Sequence, residues 1–435
     1  MKLPWIFVSI AAYRDPELVP TIQDCLARAE HPRRLVFGIA WQHSPEEKLD
    51  LPRRKKKYRI LDIDSISSQG VCWARSEIEK LWDGEEFTLQ LDSHHRFVQG
   101  WDSLLVQMFQ RCQKGGSRKP VLTAYLPSFD PQNPIRRDQE PWQMNFDRFI
   151  PEGAVFFRPG AIPDWQKLKA PIPARFYSAH FRFAAGQFHQ DVPYDPNFYF
   201  HGEEISLAAR AFTHGYDLFH PHRLVAWHEY TRKGRIKHWD DHVEKNGLVP
   251  WTERNVASHR RNRILFGMEV APPGFDFGPY GFGAVRTLED YERWAGLQFA
   301  TRGVQEYTLN RLPPPNPQKF ASREEWLGSF IRQHHFTIEM DTKEVFHPDN
   351  NYGRDFDQWL ISVSDRDGRE LFNQELRLME ILRSLDQRPI RRDLDFSSAG
   401  TPATCTIRMH SRSRGWGHAV TQALGAGGVG AQDAK

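Results

Sequence analysis

The stretch Phe87-Thr-Leu-Gln-Leu-Asp92-Ser93-His94-His95-Arg96-Phe97 changes character abruptly, with β-compatible, mostly apolar residues ending in a carboxylate and two imidazoles. In an open α/β sheet the carboxyl ends of parallel strands line the ligand crevice, so a carboxylate there faces substrate rather than core. Asp-x-His at that edge offers oxygen and nitrogen, a borderline donor set that suits manganese or another first-row ion better than calcium. As a pattern it is weak, because Asp62-Ile-Asp64, Asp240-Asp-His242, Asp365-Arg-Asp367 and Asp393-Leu-Asp395 fit the same spacing. Asp92 is set apart by the strand before it and the helix after it. There Trp101, Leu104, Leu105, Met108, Phe109 and Cys112 recur at helical spacing, and Gly115 is placed to stop the helix. A plain surface turn at Asp92 and His94 stays open on local context.

A chain of 435 residues holds one large α/β domain and a smaller second one. Its formal charge of only +3 demands no nucleic acid as a partner. No apolar run approaches the ~20 residues that span a bilayer, and the first apolar run is cut short by Tyr13-Arg14-Asp15 without a signal-peptide cleavage pattern. Cys25, Cys72, Cys112 and Cys405 form no close pairs and no zinc spacing, so a reducing cytoplasm is the expected home.

Taken in order, Ile6–Ala12 reads as a fully buried strand, followed by a helix with Asp15 as N-cap, Pro16 in its first turn, and Leu18, Ile22, Cys25, Leu26 and Ala29 facing inward. Strands are expected at Leu35–Gln42 and Tyr58–Asp62, with the basic run Arg53–Lys57 between them as a solvated loop or a phosphate contact. Ser67-Ser-Gln-Gly70 leads into a helix that carries Arg75, either a phosphate or ribose contact or a surface arginine pairing with Glu79. After the strand Pro120–Leu126, this alternation argues a mainly parallel sheet with right-handed crossovers. Pro127–Pro173 reads as irregular substrate-side chain with a short strand at Ala154–Phe157.

Glu203 and Glu204 open a helix that carries Ile205, Ala208, Ala209 and Phe212 on one face. Carboxylates there complement the helix dipole, worth ~0.3 to 1 kcal/mol each; the alternative is a site, since Gly202 leaves room for a ligand and the approach is aromatic. His228 ends another apolar run and is the first candidate for a third metal ligand beside Asp92 and His94. Arg232, Lys233 and Arg235 beyond it answer a diphosphate or keep the next loop soluble. Arg311-Leu-Pro-Pro-Pro-Asn-Pro317 is the clearest linker, and the strands expected after it make a small β-rich module with a turn at Asp365-Arg-Asp-Gly368. The glycine-rich end, Gly425–Lys435, has nothing to bury and is expected to be disordered.

Val8-Ser-Ile-Ala-Ala-Tyr-Arg-Asp-Pro16, Gln69-Gly-Val-Cys-Trp-Ala-Arg75, Leu91-Asp-Ser-His94 and Arg96-Phe97 together resemble the cytoplasmic hydroxyproline N-acetylglucosaminyltransferases, which modify an adaptor subunit of SCF ubiquitin ligases. The resemblance continues through Val192-Pro-Tyr-Asp-Pro196, Gly202-Glu-Glu-Ile-Ser206, Thr213-His-Gly-Tyr-Asp217, His228 and Val285-Arg-Thr-Leu-Glu-Asp-Tyr291, so it covers roughly residues 5 to 300 in consistent order. It implies a GT-A fold, a Rossmann-like mixed sheet flanked by helices, and retaining transfer from UDP-GlcNAc or another UDP-sugar with Mn2+ or Mg2+ at the diphosphate. It also implies Asp92, His94 and His228 as metal ligands and Glu204, with Glu203 beside it, as the acidic group opposite the donor. Ala11, Tyr13, Arg14, Gly70 and Arg75 then fall in donor-binding segments. The acceptor is a hydroxyproline, a serine or threonine, or a glycan.

The expected domains are 1–310 catalytic, 311–320 linker, 321–412 β-rich module and 413–435 flexible tail. Two other function classes stay open. A metal-dependent hydrolase of sugar nucleotides or glycosides would use the same ligands with Glu204 as base for water. A noncatalytic sugar-nucleotide or glycan binder would keep the aromatic pocket without needing the metal.

Overall fold

The first apolar run is buried on both sides, as its lack of alternation requires. It forms β1 (Ile6–Tyr13), which turns Ile6, Val8, Ile10 and Ala12 into one core and Phe7 into another. The computed structural model describes residues 3–53, 57–232, 234–243, 249–340, 356–377, 380 and 390–424. They belong to two compact units, one of Met1–Ala300 with Tyr307–Gln318 and one of Thr301–Glu306 with Lys319–Lys435. Residues 54–56 of the basic run, Lys233 and the glycine-rich end 425–435 lie outside the described residues.

In the first unit the strands after β1 are β2 (Leu35–His43), β3 (Tyr58–Asp64), β4 (Phe87–Asp92), β5 (His95–Phe97), β6 (Pro120–Thr123), β7 (Phe129–Asp130), β8 (Asn133–Arg137), β9 (Trp142–Phe149), β10 (Val155–Ala161), β11 (Ile172–Pro173), β12 (Phe181–Ala185), β13 (Asp217–His220) and β14 (Ala226–His228). Eight strands form one sheet in the order β11-β13-β6-β12-β4-β1-β2-β3. The pairs β1–β2, β2–β3, β1–β4 and β6–β13 are parallel. β12 runs antiparallel between β4 and β6, and β11 antiparallel beside β13. The result is the expected α/β class, a mixed sheet with helices on both faces.

Those helices begin with α1 (Leu18–Arg28), α2 (Val71–Glu79) and α3 (Trp101–Lys114). Leu18, Ile22 and Cys25 of α1 share a core with Trp101, Leu105 and Met108 of α3, whereas Ala74 and Ile78 of α2 pack with Phe7 on the opposite face. Beyond them come α4 (Phe188–Asp191), α5 (Glu203–Thr213), α6 (His238–Asp241), α7 (Trp251–Leu265) and α8 (Leu288–Ala295). No helix among the described residues is long and apolar enough to cross a membrane.

Three expectations change. The stretch read as irregular contains the β9–β10 hairpin, with Val155 opposite Phe149 and Ala161 opposite Trp142. Its strand proline, Pro159, sits in β10, which among the described residues pairs with β9 alone, a position where a missing N–H is tolerated. The proline-rich stretch 311–317 groups with the first unit. There Arg175 donates to Leu312 O and Asn316 Oδ1, and Asn316 Nδ2 donates to the carbonyls of Arg293 and Trp294. Finally, within the stretch read as a tail, Gly415–Trp416 and Val420–Ala423 pair with Thr404–Ser411.

The second unit is β-rich. Phe356–Ser364 lies between Glu370–Arg377 and Thr404–Ser411, and Arg332–Met340 pairs with Ile390–Ser398. Trp359, Ile361, Val363, Leu376, Leu394, Cys405, Ile407 and Met409 make its core. Its turn at Asp365–Gly368 forms as expected, with Asp365 Oδ1 accepting from the amides of Asp367 and Arg369 and Gly368 at φ +79°.

Candidate active site

Register places the first elements of the site. Ala11 of β1 lies opposite Asp92 of β4, so both strands end side by side at the carboxyl edge of the sheet. The chain leaves β4 through Ser93 and His94 and returns as β5, which pairs antiparallel with β14 and sets His228 opposite His95. Side-chain donor atoms of Asp92, His94 and His228 consequently all lie within 4.8 Å of one another. Asp92 Oδ2 is 3.4 Å from His228 Nε2 and 3.9 Å from His94 Nε2. His94 Nε2 and both ring nitrogens of His228 are buried without a hydrogen-bond partner.

The far nitrogen of His94, Nδ1, is 2.8 Å from Asp15 Oδ2. Asp15 also accepts from Ser93 Oγ and pairs with Arg235. Burial pushes its carboxyl up, but His94, Arg235 and Ser93 outweigh that and hold it below the usual carboxylate range. This corrects the reading of Asp15 as the N-cap of α1. The helix starts at Leu18 with Glu17 at its N-cap, and although Asp15 Oδ1 accepts from the Glu17 amide, its other oxygen orients His94. The signal was present in the sequence, since Asp15 follows the end of β1 much as Asp92 ends β4.

Arg75 is 3% exposed, and neither a surface position nor a Glu79 partner survives. Its guanidinium donates to Asp92 Oδ1 at 2.6 Å, Glu203 Oε1 at 3.1 Å and the Tyr194 hydroxyl at 3.2 Å. Glu79 is drawn elsewhere, to His189 Nδ1 and the Tyr194 amide. Burial raises the Asp92 carboxyl, yet His228, Arg75 and His94 hold it well below the usual range. Burial lowers His228 well below an ordinary imidazole, which favours the form with a lone pair to offer.

Across from Asp92, α5 begins after Gly202, whose φ is +94° and whose absent Cβ would meet Asn262 at 3.0 Å. Both carboxylates at the start of α5 bond to groups outside that helix. Glu203 is buried between Arg75 and Cys72, whose thiol donates to Oε2 at 2.6 Å. Glu204 Oε1 accepts from the Ala179 amide at 2.9 Å and Oε2 from the Tyr125 hydroxyl at 2.8 Å. Burial, only partly countered by these donors, pushes Glu204 up to about 7.

These groups surround a cavity of about 730 Å³, within the usual size of small-molecule sites. Ala11, Tyr13, Gly70, Arg75, Asp92, His94, Glu203, Glu204 and His228 all line it. Arg14 does not, because at φ +46° its side chain turns to Asp241 and Glu47. Gly70 is at φ +110°, and a Cβ there would meet Tyr199 at 2.8 Å. Arg232 lines the cavity, whereas Arg235 is spent on Asp15 and Glu229. Sequence reading missed Tyr125, His180, Tyr199, Tyr230 and Trp239, which also face the cavity from irregular chain or short helix. The only hint of them was the density of aromatics.

The model of the Glycosyltransferase (GlcNAc) family matches residues 5–55 and 48–301. A search of curated proteins found no match. Among solved structures the chain is similar to GalNAc-T7 with UDP, GalNAc and Mn2+, at 13% identity and a TM-score of 0.45 over 70% of this chain and 60% of that one. It is similar as well to S. aureus TarS 1–349, at 12% identity and a TM-score of 0.35 over 61% and 76% of the two chains. The chain thus spans 60% of the length of the GalNAc-T7 chain. The family model covers well over half of the chain, from β1 to the end of α8, and takes in every residue of the cavity described above, so the chain belongs to the glycosyltransferase (GlcNAc) family.

Proposed function

We propose that this protein is a GT-A glycosyltransferase that moves N-acetylglucosamine from UDP-GlcNAc to a hydroxyl acceptor with retention of configuration. The observation that carries the reading is the meeting of Asp92, His94 and His228 at the carboxyl edge of the sheet, inside a cavity large enough for a sugar nucleotide. The three residues fit a divalent first-row ion such as Mn2+. They bring two imidazole nitrogens and one carboxylate oxygen, the histidine nitrogens are buried with nothing else to bond, and Asp15 holds the far nitrogen of His94. When bound, such an ion offsets the charge that grows on the diphosphate of the leaving UDP.

The rest falls to the chain. Ala11 and Gly70 leave room for the nucleotide, and Arg75 keeps Asp92 ionised and in place. In the transfer, a bond forms between the acceptor oxygen and the anomeric carbon on the face where the bond to phosphate breaks. The acceptor proton passes to the leaving phosphate oxygen, so no protein base is needed. Glu204, fixed by two donors, orients sugar or acceptor hydroxyls, while Glu203 holds Arg75. Trp142, Phe157, Phe200 and Trp239 give the acceptor side an aromatic wall, a surface suited to the apolar faces of sugars and prolyl rings. The first acceptor to test is a protein hydroxyproline, then serine, threonine and glycans. Four buried cysteines that form no disulfide support a cytoplasmic home.

The test is mass spectrometry of UDP-sugar turnover by the full chain with a donor panel and a lysate as acceptor source. Addition of one N-acetylhexosamine from UDP-GlcNAc to a lysate protein or glycan is expected. UDP and free sugar released at equal rates with and without acceptor would make the protein a hydrolase instead.

A further inference from the structure

The two histidines of the cluster are held by different means. His94 is oriented by a carboxylate, Asp15, on its Nδ1. His228 has no such partner, since its Nδ1 is buried with nothing to bond. Rings hold it instead. His180 stacks on it, with centroids 4.2 Å apart and planes 15° from parallel, and Tyr230 meets it edge-on at 4.4 Å and 78°. His95, opposite it in the β5–β14 ribbon, closes a third side at 4.9 Å. A parallel ring on one face fixes the plane of an imidazole, and a perpendicular ring blocks its rotation.

The two clamping rings both meet one residue. The Leu126 amide donates to His180 Nε2 at 3.1 Å, and the Tyr230 hydroxyl donates to the Leu126 carbonyl at 2.7 Å. Tyr125, the neighbour of Leu126, stacks on His180 at 5.1 Å and donates to Glu204. A continuous stack thus joins His228 to the residue that holds Glu204.

We propose that His180 and Tyr230 are positioning residues that aim His228 at the metal by ring packing, in place of the hydrogen-bonded carboxylate that aims His94. The proposal rests on the reading of Asp92, His94 and His228 as ligands. Its consequence is that ring shape at these two positions, not hydrogen-bonding capacity, sets metal affinity.

The test is Mn2+ binding to the full chain by isothermal titration, with circular dichroism confirming the fold. Removing an outer-shell support weakens metal binding about 10- to 100-fold, so His180→Ala is expected to raise the Kd at least tenfold and His180→Phe to stay within about threefold of wild type. Tyr230 is 40% exposed, so its truncation leaves a smaller void than that of buried His180 and covers the case of a His180→Ala chain that does not fold. Tyr230→Ala should weaken binding and Tyr230→Phe should not. Wild-type affinity in both alanine variants, or equal loss in the alanine and phenylalanine variants, overturns the proposal and leaves the ligand reading intact. A wild-type chain that binds no Mn2+ overturns both.

Discussion

Glu204→Gln isolates the group on which the catalytic reading of α5 depends, and the structure sets what the change does to stability before any turnover is measured. Both carboxylate oxygens accept hydrogen bonds, from the Ala179 amide and the Tyr125 hydroxyl. Glutamine keeps one oxygen and turns its NH2 on the other donor, much as the protonated carboxyl presents its O–H there, so the variant stands in for the neutral acid. The fold disfavours the carboxylate. A rise from 4.5 to about 7 amounts to about 3 kcal/mol at 1.36 kcal/mol per unit, removed in the neutral variant. The sign follows from the raised value. The contribution of Glu204 to stability is fully present below its unfolded value and is lost as pH rises through about 7. In chelator-treated protein the variant should accordingly be within about 1 kcal/mol of wild type at pH 5 and more stable than it by up to about 3 kcal/mol at pH 8, read from urea unfolding. Transfer should behave differently. If Glu204 orients hydroxyls in the transition state, its rate at pH 8 falls about 100-fold, a loss of ~2.7 kcal/mol that a gain in stability does not explain. UDP release and product mass report it. A variant that folds and transfers within threefold of wild type would refute the role of Glu204 and leave the carboxylate a structural hub for Tyr125.

Excess chelator should abolish UDP release, with Mn2+ restoring it, and Asp92→Ala should match the chelated enzyme; turnover that persists in chelator excludes the metal-assisted mechanism. Glu203→Gln should destabilise the fold by about 3 kcal/mol or more, because it takes one of two carboxylates from the buried Arg75 guanidinium. Thermal or urea unfolding checks this, and an unchanged midpoint would show Asp92 alone balances Arg75. Asp15→Asn should weaken Mn2+ binding about 10- to 100-fold through His94 with the fold retained, as measured by titration of the full chain; an unaltered Kd would leave His94 oriented by packing alone.

Local periodicity was enough to read β1, β4 and α3, and it placed Asp92 and His94 at a strand edge because an apolar strand and an amphipathic helix bracket them within a short stretch. His228 was legible only as the end of an apolar run. What carries it to Asp92 is the pairing of β5 with β14, two strands too short for any periodic signal. Cap chemistry misled in the case of Asp15, whose sequence context suits a helix start while its contact with His94 depends on β1 and β4 lying side by side. Arg75 shows the deeper reason. Helical spacing offers it Glu79, but Glu79 meets His189 from α4, and Arg75 turns inward to Asp92 from β4 and Glu203 from α5. Each of these charges is admitted to the interior only because the others are there to balance it. That condition belongs to the three positions jointly, so a reading that takes residues with their sequence neighbours offers Arg75 only Glu79, and the network emerges only when the sheet edge and the start of α5 face one another.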